Sequence, residues 1–576
     1  MAELSGRCQL DPGFGLMRIR LIILMLSLVG HAVAQTPSGY TNPILRGGYP
    51  DPSICRVGED YYLVNSTFEY FPGLPVHHSR DLVNWELIGY GLHREDQVTG
   101  AVNLVDVQSN GGIHAPSIRC RDGVFYIITT NVYLPPGEGA ETEFVNFVIT
   151  ATDPAGPWSE PHVLEGAPGI DPDLFFDDDG RAWYVGTHSP DEPNFPGEGE
   201  IWLQEVDTDQ WALIGERYFL WRGACGGVWA EGPHLYKRDG RYYLLVAEGG
   251  THFNHAVTIA VSDRLTGPYE SNPRNPILTS RHLSYDNWVN STGHGDLIEL
   301  PDGRWYMVLL GIRNDLERRS NMGRETHLVP VSWEREPFEW KAVKIEWPVP
   351  APGTGRVERV NPAVFAETRQ VLNDDFIDRF EGEALNPRWN FRRLPLPGSW
   401  SLQERPGHLR LHAHANVIAE RGRASLVGFR QTESDFSYSA RMRFDARETG
   451  SESGLSLFQK DDNFINFTVT RREDGPVLHL AIAGKDQPTA VVEVPLPEYN
   501  GAITLQASSE ADAYRFGYRL DERDTLIEVA ELPAGLILSR GYTGANLGLY
   551  STTNGRAVQS HADFEWVRYI AHPRLR

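Results

Sequence analysis

The chain contains little cysteine, with four Cys among its 576 residues. Cys8 lies in a segment that we expect to be removed, which leaves Cys55, Cys120 and Cys225. Three thiols can form at most one disulfide among themselves, so the fold cannot depend on a framework of cross-links. The CxxC and HExxH patterns of zinc sites are also missing from the sequence. We therefore expect packed hydrophobic cores to hold the protein together.

A surplus of basic residues is absent as well, because 53 Lys and Arg face 77 Asp and Glu, for a net charge of −24. Nucleic-acid binding needs a positive surface that neutralises phosphates, so we expect no nucleic-acid partner. An acidic surface is compatible with an uncharged partner.

Long hydrophobic runs are missing except for residues 21–29, which are too few to span a bilayer comfortably. This run follows Arg18 and Arg20 and precedes the small-residue motif at 32–34. The order predicts a signal peptide over residues 1–34, with Met17 as an alternative start; a membrane anchor is the competing interpretation. We expect a secreted, extracellular protein with no membrane segment once the leader is removed.

Glycine, proline and aromatic residues are plentiful, with 56 Gly, 39 Pro, 15 Trp, 23 Tyr and 24 Phe. This composition is typical of a chain rich in turns and β-strands. The length predicts two or more domains, since a single core rarely grows to this size.

A hairpin motif occurs five times before residue 310. Each copy has a short strand, an acidic turn and a strand that opens with two aromatic residues. The second aromatic is Tyr62, Tyr126, Tyr184, Tyr243 or Tyr306. Five all-β repeats of about 60 residues predict a five-bladed β-propeller over residues 35–345, in which neighbouring blades bury each other's faces. A β-sandwich with coincidental spacing is the alternative.

The innermost strands of a propeller surround one axis, so residues at their starts converge on one mouth of the channel. Here these starts carry ionisable groups in several blades: Asp51, His114, Asp171, Glu231 and His294. Glycosidic bond cleavage needs one protonated and one ionised carboxyl group, and this set can supply both. Two alternatives remain: Asp-Pro at a strand start also serves as a turn, and Asp51, Asp171, Glu231 and His294 could bind a metal.

The rest of the chain lacks the repeat. Residues 346–371 are rich in proline and predict a linker. Alternating strands from residue 372, such as 436–444, predict a β-sandwich over 372–576. Asp375 and Asp563 could meet in a structural calcium site or could be surface turns. No other cofactor is expected.

Three segments, at residues 50–53, 169–177 and 230–236, resemble glycoside hydrolase family 43. The resemblance implies a five-bladed propeller and an inverting enzyme, in a family of β-xylosidases, α-L-arabinofuranosidases and arabinanases. Residues 400–407 and 453–459 resemble the concanavalin-like sandwich attached to the family's xylosidases.

The resemblance also implies roles for individual residues. Asp51 matches the general base, Glu231 the general acid, and Asp171 the third carboxylate that tunes the acid and orients the sugar. The matching substrate contacts are Phe68, His294, Arg324 (expected to keep Asp171 ionised) and, from a loop of the sandwich, Tyr542. His114 replaces a Trp found in many xylosidases of the family, which leaves the choice between xylose and arabinose open.

The sequence thus predicts an exo-acting enzyme that releases terminal xylose or arabinose from xylan or arabinoxylan oligosaccharides or polysaccharides. A non-catalytic carbohydrate-binding propeller and an endo-arabinanase are the alternatives. The sequence leaves the oligomeric state open.

Overall fold

The computed structural model describes residues 39–226, 228–316, 318–335, 345–484, 487–538 and 541–573. The predicted signal peptide lies outside these residues. Helix within the described ranges is limited to two 3-10 segments, Glu95–Val98 and Ala534–Ile537. No helix in these ranges has the length and apolar character to cross a membrane.

Five antiparallel sheets form the blades of a propeller, which confirms the predicted fold. The first strand of each blade contacts the first strands of the next and previous blades, so these five strands close a ring around the axis.

From the axis outwards, blade 1 contains Ser53–Val57, Asp60–Val64, Gly73–Ser79 and Glu86–Leu92. Blade 2 contains Gly112–Arg121, Val124–Tyr133, Glu143–Ala151 and His162–Val163. Blade 3 contains Ile170–Phe176, Ala182–His188, Glu200–Asp207 and Ala212–Trp221. Blade 4 contains Glu231–Arg238, Arg241–Glu248, Ala256–Ser262, Glu270–Ser271 and Leu278–Thr279. Blade 5 contains Val289–Glu299, Trp305–Arg313, Arg324–Arg335 and Glu346–Pro350.

Hydrophobic cores lie between neighbouring blades. Trp183 and Val185 of blade 3, for example, belong to one buried cluster with Leu235 and Leu244 of blade 4. A single four-stranded blade cannot bury both of its faces, so each blade depends on its neighbours for stability.

A polar network ties the inner strands together below the mouth. The Arg119 guanidinium of blade 2 donates to Asp173 of blade 3 (2.5 Å) and Asp296 of blade 5 (3.0 Å), and lies 3.0 Å from Nδ1 of His234 in blade 4. Ser53 of blade 1 donates to Asp296 at 2.7 Å. Because all five blades contribute, this network fixes the inner strands relative to one another.

The C-terminal region is a sandwich of two sheets that enclose one large hydrophobic core. The first sheet contains, in spatial order, Trp400–Ser401, Leu409–His412, His561–Ala571, Phe436–Phe444, Ala502–Glu510, Ala513–Arg519 and Ile527–Pro533, with Phe376–Asp378 paired to His561–Ala571. The second contains Gln487–Pro495, Gly475–Gly484, Asn463–Arg472, Glu452–Lys460, Asn546–Thr552, Ser425–Arg430, Asn390–Arg392 and Tyr70–Phe71. The last of these strands comes from the propeller part of the chain, so the two domains share a sheet.

The prediction of a linker over 346–371 is wrong at its start. Glu346–Pro350 is the outermost strand of blade 5, with Trp347 buried. Val360–Pro362 then pairs with Gly39–Thr41. An edge strand tolerates proline because its outward side needs no hydrogen-bond donors, which is why a Pro-rich sequence can close a blade.

The sequence left open whether Asp375 and Asp563 meet or are separate turn residues, and the structure keeps them apart. Strand pairing places Phe376 beside Tyr569, six residues along the strand from Asp563. The Asp375 carboxylate accepts from the Ala571 N–H, and Asp563 is bound by Arg405 and Arg410. The two carboxylates therefore have separate protein partners and form no joint cation site.

A buried ionic cluster joins the domains. Arg313 of blade 5 binds Glu325 through two hydrogen bonds (2.6 and 2.8 Å) and Glu433 of the sandwich at 2.8 Å. Arg46 also binds Glu433 at 2.7 Å. Such a cluster requires both domains to be in place, because in either domain alone some of these charged side chains would be exposed or left without a partner of opposite charge.

Candidate active site

Three of the predicted site residues, Asp51, Asp171 and His294, occupy equivalent backbone positions in their blades, and His114 and Glu231 lie one residue before that position. In every blade, one residue at or near the start of the inner strand has a left-handed backbone conformation, with φ between 37° and 57°. These residues are Asp51, Ala115, Asp171, Gly232 and His294. In blades 2 to 5 the strand pairing shifts register at this point. Four of the five residues precede a proline, which cannot donate to the ladder and so suits a bulge. Such strained conformations are typical of ligand sites, where they orient side chains.

Asp51 is a buried, ion-paired carboxylate. Its Oδ1 accepts from Nη1 of Arg324 at 2.9 Å and lies 3.9 Å from Nδ1 of His294, and its Oδ2 accepts from the Ser66 hydroxyl at 2.6 Å. Burial alone would raise the pKa of Asp51, but Arg324, His294 and the Ser66 hydrogen bond outweigh it and lower the pKa. Asp51 is therefore ionised at neutral pH.

Glu231 has the opposite environment. It has neither a hydrogen-bond nor an ion-pair partner among the described side chains, and burial together with the charge of Asp51 raises its pKa to about 7.

Asp171 accepts from the Gly232 N–H at 3.2 Å. Burial, Glu231 and then Asp51 raise the pKa of Asp171 well above its ordinary value. Like-charge repulsion among three carboxyl groups thus favours protonation of the Asp171–Glu231 pair.

The pocket histidines are neutral. Burial lowers the pKa of His294 and His114 to about 4 each, despite the opposing charge of Asp51. They can therefore donate or accept hydrogen bonds at neutral pH but carry no charge. Proton transfer in this pocket falls to the carboxyl groups.

Aromatic rings close one side of the pocket. The Phe68 ring stacks on Tyr542 with centroids 5.7 Å apart and meets His114 edge-on at 4.8 Å. The Arg324 guanidinium lies over both Phe68 and Tyr542, at 5.5 and 5.2 Å. The structure thus brings all eight residues predicted from the sequence to one pocket.

The sandwich loop with Tyr542 is fixed by the propeller. Its Tyr542 N–H donates to Oδ1 of Asn110 at 2.9 Å, and the Asn110 carbonyl lies 3.0 Å from Nε2 of His114. The Ala545 N–H donates to the Asn321 carbonyl at 2.6 Å. The loop therefore belongs to the wall of the pocket although it comes from the other domain.

One predicted contact differs. Arg324 was expected to hold Asp171 ionised, whereas its guanidinium binds Asp51. Among the described residues, Asp171 accepts a hydrogen bond only from the Gly232 N–H, and burial together with the charges of Glu231 and Asp51 raises its pKa despite the opposing charge of Arg324.

Sequence reasoning missed Ser66 and Asn110. Ser66 orients Asp51 and also accepts from the Ala115 N–H at 2.6 Å, so it links blades 1 and 2. Ser66 lies next to the segment that contains Phe68, and that proximity is the only signal the sequence offers for it.

The alternative of a metal site has no geometric support in the described ranges, which contain no group of three or more His, Cys, Asp or Glu side chains placed to hold a metal ion. The charges in the pocket are instead balanced by Arg324.

Comparison with known proteins agrees with this arrangement. The profile of the glycosyl hydrolases family 43 matches residues 40–337, and that of the β-xylosidase C-terminal concanavalin A-like domain matches residues 377–570. The xylosidase/arabinosidase of Butyrivibrio fibrisolvens is 38% identical over 533 residues, covering 91% of this chain and 98% of that protein. The non-reducing end α-L-arabinofuranosidase of Bacteroides ovatus is 35% identical and covers 95% of this chain and 98% of its own.

A solved structure also matches this chain over both domains. The xylan β-1,4-xylosidase of Bacillus halodurans superposes with a TM-score of 0.83 at 32% identity, covering 92% of this chain and 99% of that chain. The family profile, the full-length relatives and this structural match cover both domains. The chain is therefore a glycosidase that belongs to glycoside hydrolase family 43.

Proposed function

We propose that the protein is an exo-acting, inverting glycosidase that releases terminal xylose or arabinose from xylan or arabinoxylan oligosaccharides. The observation that carries this proposal is the contrast between two carboxyl groups in one pocket. Asp51 is held ionised by Arg324 and Ser66, whereas Glu231 has no such partner and its pKa is raised to about 7.

In the proposed mechanism, Asp51 accepts a proton from a water molecule as that water attacks the anomeric carbon. Glu231 donates its proton to the glycosidic oxygen as the bond to the leaving sugar breaks. Asp171, which accepts from the Gly232 N–H, shares with Glu231 the proton that burial and repulsion among the carboxyl groups keep on the pair, and it orients the sugar. Inversion follows because water attacks from the face opposite the leaving group.

Exo action is supported by the wall that Tyr542 forms with Phe68 and His114. A closed wall stops the sugar chain from continuing beyond one terminal residue, while an endo-acting enzyme needs a groove open at both ends. His114 in this wall is polar, so it can hydrogen-bond a sugar hydroxyl where an indole would stack. Secretion, proposed from the predicted signal peptide, would bring the enzyme to its polymeric substrate.

The test is a side-by-side assay of the purified protein with 4-nitrophenyl β-D-xylopyranoside and 4-nitrophenyl α-L-arabinofuranoside. We expect nitrophenol release from at least one of them and monosaccharide release from the matching oligosaccharide. Turnover of neither substrate would contradict the proposal, and release of oligomers from internal bonds of arabinan would point to endo action instead.

A further inference from the structure

An exposed tryptophan lies directly beside the proposed acid. Trp229 precedes Glu231 by two residues, so the chain limits the distance between their α-carbons to about 7 Å. Its side chain is 52% exposed, so it presents an apolar ring to solvent two positions before Glu231. Nothing in the catalytic steps described above uses this ring.

The backbone around Trp229 is fixed from two blades. The Trp229 N–H donates to the Gly197 carbonyl at 2.6 Å, in the loop that leads to the third strand of blade 3. The neighbouring Val228 carbonyl accepts from the Gly249 N–H at 2.8 Å, at the end of the second strand of blade 4. Trp229 itself adopts a left-handed conformation with φ 46°, which a bulky residue rarely adopts. Strain of this kind is found where a side chain is held for a ligand.

Two glycines hold the indole in place. A Cβ on Gly197 would lie 2.7 Å from Cε2 of Trp229, and one on Gly250 would lie 3.1 Å from its Cε3. The backbone at both positions has positive φ and therefore suits glycine. The ring is thus packed against backbone while half of its surface faces solvent. Its indole N–H donates to no group in the described part of the chain, and it remains available to a ligand.

The position of the ring relative to the pocket indicates what it would bind. Phe68, His114 and Tyr542 enclose the side of the pocket near Asp51, where the terminal sugar belongs. In the proposed mechanism Glu231 protonates the glycosidic oxygen, so the leaving sugar lies beside Glu231, at the start of blade 4 and next to blade 3. Trp229 is held between those two blades.

We propose that Trp229 is the stacking platform for the xylopyranose on the leaving-group side of the scissile bond. This inference rests on the proposed function. In xylan and in arabinoxylan the unit on that side is a xylopyranose, whether the released sugar is xylose or arabinose. Xylopyranose has no hydroxymethyl group, so its ring presents C–H groups that pack on a flat indole, while a ring hydroxyl can accept from the free indole N–H.

The test compares two substrates that share the terminal sugar. One is a disaccharide with xylose on the leaving side, xylobiose or its arabinosyl-xylose counterpart. The other is the methyl glycoside of the same pentose, whose leaving alcohol also needs protonation but has no ring. Trp229→Ala should lower kcat/KM on the disaccharide about tenfold, mainly through KM, and change kcat/KM on the methyl glycoside less than about twofold.

Two further variants exclude a structural explanation. Trp229→Phe keeps an aromatic face and should recover most of the loss on the disaccharide. Phe219→Ala removes a ring that is 53% exposed in the outermost strand of blade 3 and should affect neither substrate. Equal losses on both substrates with Trp229→Ala, or no loss on the disaccharide, would overturn the inference.

A binding experiment separates this inference from the proposed function. In a Glu231→Gln background, calorimetry with xylotriose should show about tenfold weaker binding after Trp229→Ala, and competition by free xylose should be unchanged. If the wild-type protein hydrolyses neither pentoside, the proposed function fails, yet this binding difference still decides the role of Trp229. Equal xylotriose affinity with and without the indole would refute it.

Discussion

Glu231 and Asp51 are chemically similar groups whose surroundings separate their protonation states. Arg324 and Ser66 stabilise the Asp51 carboxylate, whereas burial and nearby negative charge favour the protonated form of Glu231. Because Glu231 must donate a proton to the leaving oxygen, its removal should matter most when the leaving group is poor.

We therefore expect Glu231→Gln to lower kcat/KM on an oligosaccharide by roughly 10³-fold and on a dinitrophenyl glycoside by only about tenfold or less. Asp51→Asn is the matched comparison. It removes water activation, which every leaving group needs, so both substrates should lose activity to a similar extent. If Glu231→Gln lost activity equally on both substrates, the assignment of the acid would be wrong.

The pH dependence follows from the same contrast. The rate requires protonated Glu231, whose pKa is raised to about 7, so kcat/KM should fall as pH rises through about 7. The rate also requires ionised Asp51, whose pKa is lowered, so the acidic limb should lie below the ordinary range of an aspartate. A profile of kcat/KM between pH 3 and 9 measures both limbs, and in Glu231→Gln the alkaline limb should disappear. An unchanged alkaline limb in that variant would assign it to another group.

At the level of elements, the loop that holds Tyr542 brings a residue of the sandwich into the pocket. Tyr542→Ala removes the ring that stacks on Phe68 and opens the wall. Aromatic pairs contribute about 0.5–1.5 kcal/mol, so KM for oligosaccharides should rise about three- to tenfold with a smaller change in kcat.

Tyr542→Phe keeps the stacking face and should stay close to wild type in the same assay. A Tyr542→Ala enzyme with unchanged KM would show that the loop does not contact the bound sugar.

Much of the element pattern could be predicted from the sequence because it depends on local chemistry. The acidic turns and the paired aromatics reveal each inner hairpin, and the shared position of Asp51, Asp171 and Glu231 at strand starts reveals the site. Glu346–Pro350 could not be predicted as a strand, since its prolines are tolerated only at an edge that the fold creates.

The hydrogen-bond and ion-pair partners of the site residues were less predictable than the positions of these residues in the fold. The choice of Arg324 between Asp51 and Asp171 depends on distances of a few ångströms across the pocket, and no sequence pattern encodes them. Ser66 and Asn110 were missed for the same reason, since their hydrogen bonds form only when separate loops meet. Tyr542 was found only because its loop resembles one in the family's xylosidases.

At the scale of the whole molecule, the two domains are joined by the buried cluster of Arg313 with Glu325 and Glu433. Arg313→Met would leave two buried carboxylates without their shared cation. Breaking a buried ion pair in this way typically costs about 3–5 kcal/mol, so the variant should melt at a clearly lower temperature in calorimetry.

Arg335→Met is the control, because Arg335 pairs with Glu346 at the surface and its side chain is 71% exposed. Exposed pairs contribute little, and its melting temperature should stay near that of the wild type. Equal melting temperatures for both variants would show that the interdomain cluster does not contribute to stability.

The central claim is that Asp51 activates water on one face of the sugar while Glu231 protonates the leaving oxygen on the other. The most direct test is time-resolved proton NMR of the pentose first released from an oligosaccharide, before mutarotation scrambles the anomers. The account predicts inversion, so that a β-xyloside yields α-xylose first. Release of the sugar with its original anomeric configuration would contradict it, since retention requires a carboxylate to attack the sugar directly.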